Sequence, residues 1–327
     1  MPVSVEVPKE RWTGKVREIT LGATPADGGT RSHTVTVGGE TTLPFLLFEG
    51  EIPHPPRVAL EVRSSDPNGE WSQPLLEAWG DVVKDPAEWA KAAEDKGADL
   101  VLLQLTATRN GSEMTAADAC SILRDVLQAT GLPLLVFGPG QVDLDNELLV
   151  AVAEEGAGER MVLGVCEEKN YRTIVAAALA HNHLVDSRTP MDVNLAKQLI
   201  ILIHDMQLPL ERILMDPTTG ALGYGIEYGY SVMERLRLAA LQGDSMTQQP
   251  MLVTPGEEAW RAKEARVGTD MPEAWGDWTE RAITWETLTA TTLIHSGADV
   301  VILRHPESMR RVHTMIEQLL QREPVVV

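Results

Sequence analysis

From residue 57 onward, short apolar runs rich in Val, Ile and Leu recur at 58–62, 99–105, 133–137, 161–166, 184–187, 213–216, 251–254 and 299–303. These runs are nearly continuous rather than alternating. That suits strands covered on both faces, the signature of a parallel sheet. Between them lie longer stretches with apolar residues at helical spacing. Asp85-Pro86 reads as an N-cap followed by proline at the first helical position. Thr115 to Asp118 reads as a capping pair, with Ile122, Leu123, Val126 and Leu127 on one face. Thr189-Pro190 is expected to open a third helix, with Val193, Ala196, Leu199, Ile200 and Ile203 as its buried stripe. Gly97-Ala98-Asp99 and Gly297-Ala298-Asp299 echo one another, each glycine placed to end a helix just before a strand.

Eight strands alternating with helices predict an α/β fold, a (β/α)8 TIM barrel spanning residues 57–327. An open doubly wound sheet would carry a glycine-rich phosphate turn after its first strand, and Glu61-Val62-Arg63-Ser64-Ser65-Asp66-Pro67 has none. Residues 1–56 form a separate extension. Polar and apolar residues alternate at 15–21 and 33–37 around a turn-forming stretch at 22–30, which predicts a β-hairpin that caps the main domain.

Composition narrows the function. The chain has 327 residues and a formal charge of −20. So acidic a chain does not suit nucleic acid, which is bound by clustered Lys and Arg. Its two cysteines, Cys120 and Cys166, cannot ligate a [4Fe-4S] cluster or form a four-cysteine zinc site. Apolar runs fall far short of the roughly 20 residues of a membrane span, and the start of the chain has no basic, then apolar, leader. The expectation is a soluble cytoplasmic protein that meets neither membrane nor nucleic acid.

In barrels, function gathers at the C-terminal ends of the strands. Two long connections emerge there, 63–85 with Trp71 and Trp79, and 255–280 with Trp260, Trp275 and Trp278. They suit either a contact surface or loops that use tryptophan as their own core. Residues 216–230 are the densest feature, with four glycines and three of the four tyrosines. Glycine lets a backbone approach a ligand, and tyrosine offers a flat face with a polar tip. The same composition fits an ordinary connection with buried aromatics. Strand-end polar residues are Glu61, Gln104, Glu167, Asp186, Asp216, Arg304 and His305, and no spacing among them singles out a catalytic pair. His181 and His183 are poorly spaced for a metal, so no metal site is expected in this chain. Location at the mouth selects Gln104, Asp186, Thr218, Thr219, Gly220, Gly223, Tyr224, Gly225 and His305 as candidate cofactor contacts. Residues 141–168 carry eight carboxylates against Arg160 alone, which reads as a solvated flank.

The stretch from Asp216-Pro217-Thr218-Thr219-Gly220 through Gly223-Tyr224-Gly225-Ile226-Glu227-Tyr228 to Met233-Glu234-Arg235 resembles the small subunit of the corrinoid iron–sulfur protein and its archaeal counterpart, the acetyl-CoA decarbonylase/synthase delta subunit. Gly243-Asp244 and Gln248-Gln249-Pro250-Met251 fit as well, and the resemblance covers nearly the whole chain. It implies a TIM barrel that pairs with a large subunit. That partner would hold the [4Fe-4S] cluster and most of a shared cobalamin site. The cobalamin would take a methyl group from methyltetrahydrofolate, through a separate methyltransferase, and pass it to acetyl-CoA synthase/CO dehydrogenase in the Wood–Ljungdahl pathway. The absence of four cysteines agrees with a cluster housed elsewhere. The ring of Glu61, Gln104, Asp186 and Asp216 keeps a second reading open, a self-sufficient pterin-dependent methyltransferase.

Overall fold

A computed structural model describes residues 8–109 and 111–321. Two short strands, β1 (Ile19–Leu21) and β2 (Val35–Val37), pair antiparallel as the expected hairpin. The barrel strands are β3 (Arg57–Arg63), β4 (Leu100–Gln104), β7 (Leu134–Phe137), β8 (Val162–Cys166), β9 (Leu184–Arg188), β10 (Ile213–Asp216), β11 (Met251–Val253) and β12 (Ala298–Leu303). All eight are parallel and close on themselves, β12 pairing with β3. A small antiparallel flap, β5 (Thr108–Arg109) with β6 (Ser112–Glu113), rises from the end of β4.

Side chains alternate along each strand between two cores. Val58, Val101, Val136 and Val185 face the helices and join the larger cluster. Ala59, Leu102, Leu135, Leu184, Leu214, Leu252 and Ile302 face inward and fill the barrel. The inward position on β8 is Gly164, where a Cβ would lie 2.5 Å from the Phe137 ring, so glycine makes room for the phenylalanine that fills the axis. Ile19, Leu21, Val35 and Val37 of the hairpin belong to this inner cluster. The hairpin therefore plugs the barrel at the N-terminal ends of its strands and leaves the opposite end as the mouth.

Buried charge fastens the plug. Arg31 is 1% exposed; its Nε meets Glu159 at 2.9 Å, and its other nitrogens donate to the carbonyls of Leu127, Thr130 and Leu132 at 2.6–3.2 Å. Those carbonyls sit just before β7, at the barrel's closed end. Across the barrel, buried Arg237 bridges Asp299 at 2.8 Å and Glu40 at 3.1 Å. Of the acidic 141–168 stretch, Glu159 and Asp145 are thus buried and bonded, and Glu155 pairs with Arg124, so only part of it is a solvated flank.

The helix starts follow local chemistry. Asp85 accepts from the N–H groups of Ala87 and Glu88, and Thr115 and Asp118 form a reciprocal capping box. Gly97 and Gly297 take φ of +93° and +110°, the left-handed conformation that ends a helix. The third helix differs from expectation. It begins at Val193, and Asp192 rather than Thr189-Pro190 caps it, accepting from Asn194 and Leu195. Thr189 is drawn elsewhere: its N–H donates to the Asp216 carbonyl and its own carbonyl accepts from Thr218 Oγ1.

Tryptophan in the first long connection serves as core, whereas Trp275 and Trp278 of the second are half-buried. Trp71, Trp79 and Trp89 are buried and meet edge to face, with centroids 5.2 and 5.6 Å apart. Trp79 Nε1 donates to the Arg304 carbonyl at 2.9 Å, tying the first long connection to the end of β12. Arg31→Ala should cost roughly 3–5 kcal/mol, because it leaves Glu159 a buried charge without its cation. Urea unfolding monitored by tryptophan fluorescence measures this, and a loss below about 1 kcal/mol, the ceiling for a surface pair, would show that the hairpin is held by apolar contact alone.

Candidate functional site

Toward the mouth the inward-facing positions change from apolar to polar. The last inward residues are Glu61 and Arg63 on β3, Gln104 on β4, Asp186 and Arg188 on β9, Asp216 on β10, and Arg304 just past β12. Strand register places Gln104 beside Arg63 and Asp216 beside Arg188. Charge must be compensated in such a layer, because a buried ion without a partner is expensive. Arg304 grips Glu61 with two nitrogens, at 2.6 and 3.0 Å. Arg188 Nε meets Asp216 at 2.6 Å, and Asp216 also accepts from the Thr218 N–H at 2.8 Å. The Gln104 amide donates to the carbonyls of Leu105 and Gly138.

Asp186 is the exception. It is wholly buried, and neither carboxylate oxygen has a hydrogen-bond partner among the described residues. Burial, and then the charge of neighbouring Asp216, push its carboxyl well above the usual range. Burial also raises Asp216, but Arg188 and the Thr218 N–H pull the other way.

Above this layer opens a cavity of about 520 Å³, lined by both long connections, Ala107 and Thr108 at the base of the flap, and the Gly138-Pro139-Gly140 turn. A cavity of this size suits a small organic ligand. Gln104 is on its wall. Asp186 lies beneath it, screened from solvent.

The 216–230 stretch forms the neighbouring rim. Thr218 takes φ of +62°, a strained position for a β-branched residue, held by its bonds to Asp216 and Thr189. Buried Thr219 accepts from the Thr254 N–H at 2.8 Å and seats the loop on the end of β11. A Cβ on Gly220 would lie 2.5 Å from the Gly225 carbonyl oxygen, so only glycine permits this tight fold-back. Gly223 and Gly225 have φ of +75° and +96°, and the helix Ile226–Leu241 then begins. The loop holds its tyrosines outward: Tyr224 is 54% and Tyr228 65% exposed. Tyr224 Oη donates to Glu264 at 3.1 Å.

The sequence candidates therefore divide. Gln104 and Asp186 belong to the inner layer, and Thr218, Thr219, Gly220, Gly223, Tyr224 and Gly225 to the rim. His305 joins neither. It is buried, stacks on Trp260 at 6.0 Å, and its Nδ1 caps the helix Pro306–Leu320 by accepting from Glu307. Burial pushes it down to about 4, so it is neutral at pH 7. His183 is likewise buried and neutral, bonded to Met161 and Ala153. Burial raises the Cys166 thiol, an inert core group. No cluster of metal-ligating side chains occurs among the described residues. Arg188 was not anticipated as a site residue. The only signal was an arginine in the inward phase of a buried strand.

Three comparisons bear on this geometry. Residues 18–322 match the family profile of the CO dehydrogenase/acetyl-CoA synthase delta subunit. The chain is similar to the acetyl-CoA decarbonylase/synthase complex subunit delta of Archaeoglobus fulgidus, 39% identical across 91% of this chain and 67% of that protein. It is 38% identical to the subunit of the same name from Methanopyrus kandleri, over 94% of this chain and 76% of that one. Among solved structures it superposes on dihydropteroate synthases. The Xanthomonas albilineans enzyme with 4-aminobenzoic acid gives a TM-score of 0.56 at 16% identity, over 82% of this chain and 95% of that chain. The Thermus thermophilus enzyme gives 0.55 at 14%, over 86% of this chain and 100% of that chain. At such identities the likeness is one of barrel fold.

Because the folded Asp186 lies above its unfolded value of about 3.9, its carboxyl favours folding only while protonated. That contribution is present at acid pH and is lost as pH rises through the folded pKa. Asp186→Asn should therefore raise the thermal midpoint at pH 7, with the gap to wild type shrinking toward acid pH. Asp216→Asn should lower it, since buried Arg188 loses its bonded carboxylate. Thermal unfolding of both variants at several pH values tests the pair; a lower midpoint for Asp186→Asn at pH 7 would mean that Asp186 is a needed counter-ion.

Proposed function

Because the chain belongs to the CO dehydrogenase/acetyl-CoA synthase delta subunit family, we propose that it is the barrel subunit of such a complex and helps enclose a corrinoid held mainly by a larger partner subunit. When bound, the corrinoid cobalt supplies the methyl-carrying chemistry, from methyltetrahydrofolate by way of a methyltransferase to acetyl-CoA synthase. This chain's residues position the cofactor and exclude water.

The observation that carries the reading is the glycine-framed rim loop. Gly220, Gly223 and Gly225 bring the backbone to the mouth without side-chain bulk, and Tyr224 and Tyr228 stand more than half exposed beside it. Flat, half-covered tyrosines are typical of surfaces that become buried on association. A corrinoid is larger than the small molecules that a cavity of about 520 Å³ accommodates, so the ring would lie across the rim rather than sink into the barrel. The cluster of the complex would sit in the partner, since this chain's two cysteines lie on separate elements and one is buried. Glu61 and Asp216 are each engaged by an arginine, which leaves the inner ring without a free ionised base of the kind a self-sufficient methyltransferase would use.

Co-expression with the large subunit should give a one-to-one complex that retains corrinoid absorbance through gel filtration. The double substitution Tyr224→Ala, Tyr228→Ala should lower corrinoid retention or complex recovery about tenfold, the effect of losing one interface hot spot, while leaving the thermal midpoint of the free chain unchanged. Gly223→Asp should lower them as well, with some loss of midpoint because φ of +75° strains a side chain. An unchanged complex and cobalt spectrum would remove the rim loop from the interface. Saturable binding of methyltetrahydrofolate to the isolated chain would favour the methyltransferase reading instead.

A further inference from the structure

We propose that the mouth cavity is a binding site for a small organic anion carrying a phosphate or carboxylate group. The inference rests on this chain's own residues and holds whether or not a corrinoid lies on the rim. Five arginines line the cavity, Arg63, Arg188, Arg261, Arg266 and Arg304, against three glutamates, Glu61, Glu70 and Glu257. The chain as a whole carries −20. Asp216 and Glu258, just outside the lining, pair with Arg188 and Arg261, so the spot offers a concentration of guanidinium donors rather than a net positive charge.

The arginines are held in place but not all satisfied. Arg304 is fixed by its two-point contact with Glu61, and Arg63 by Glu70 at 2.6 Å. Among the described residues the buried Nη2 of Arg188 has no hydrogen-bond partner and Arg266 has no carboxylate within 4.0 Å, whereas Arg261 is paired with both Glu257 and Glu258. Preorganised, incompletely bonded guanidinium groups suit bidentate contact with an oxyanion. The arrangement places Arg188 and Arg304 at the floor and the short helix Lys263–Arg266 at the entrance. An anion entering past Arg266 would descend toward Arg188, whose side chain keeps 20% exposure at the cavity floor.

The pairing also sets an internal competition. Glu70 is 63% exposed at its side chain, yet it occupies the Arg63 guanidinium that would otherwise meet the ligand. Removing its charge should free that arginine without disturbing the fold.

Isothermal titration of the full chain with inorganic pyrophosphate and with citrate, at constant ionic strength, tests the site. Saturable one-site binding of either probe is expected, and whichever binds assigns the oxyanion as phosphate or carboxylate. Arg266→Glu should weaken binding about tenfold, the scale of one charge-assisted contact. Glu70→Gln should tighten it about threefold on the same reasoning. Arg310→Glu changes an exposed arginine paired to Glu307, outside the cavity, and should leave it unchanged. Absence of saturable binding up to about 10 mM, equal weakening by Arg266→Glu and Arg310→Glu, or weaker binding by Glu70→Gln would each overturn the proposal.

Discussion

Two arginine–carboxylate pairs, Arg304 with Glu61 and Arg188 with Asp216, mark where the barrel stops being core and becomes site. Below them the axis is filled with Leu, Ile and Phe137, closed from beneath by the hairpin. Above them lies the cavity. Inward positions cannot carry unpaired charge at that depth, so each arginine is bonded to a carboxylate on the neighbouring strand. The pairing rests on register: β12 lies beside β3, and β9 beside β10. Barrel closure and site chemistry are thus one constraint, because a slip in either strand pair would strand a buried guanidinium.

The same economy appears at the closed end, where Arg31 and Arg237 fasten the N-terminal extension. Buried arginine at both ends explains how an acidic chain spends its few cations. Its excess carboxylates face solvent, and several of its arginines lie inside, where they fix geometry. The rim loop works differently. It reaches the mouth through glycines and keeps two tyrosines exposed, the arrangement of a surface built for contact rather than for charge.

The barrel was legible because strands covered on both faces read as near-continuous apolar runs, and all eight predicted runs are strands. Helix starts were legible where the cap is local, as at Asp85 and Thr115. Thr189-Pro190 misled because long-range contact won: Thr189 bonds to the end of β10 and the next acceptor, Asp192, became the cap. The fate of the tryptophans depended on packing between distant segments, Trp71 and Trp79 against Trp89, which no local pattern encodes. His305 stood at a strand end and read as a mouth residue, yet one residue beyond Arg304 the chain has already turned into its helix cap. Arg188 was hidden for the opposite reason. An arginine at the end of an apolar run carries no local sign of the carboxylate it bonds, Asp216 on the next strand.

On the proposed function, this barrel would meet its partner and cofactor through the mouth. Backbone hydrogen exchange, compared between the free chain and the complex with a corrinoid-loaded large subunit, tests it most directly. Exchange should slow across 218–228 and the entrance helix Lys263–Arg266, with the hairpin strands at the closed end unchanged. Protection confined to the hairpin end, with the rim loop exchanging as in the free chain, would contradict it.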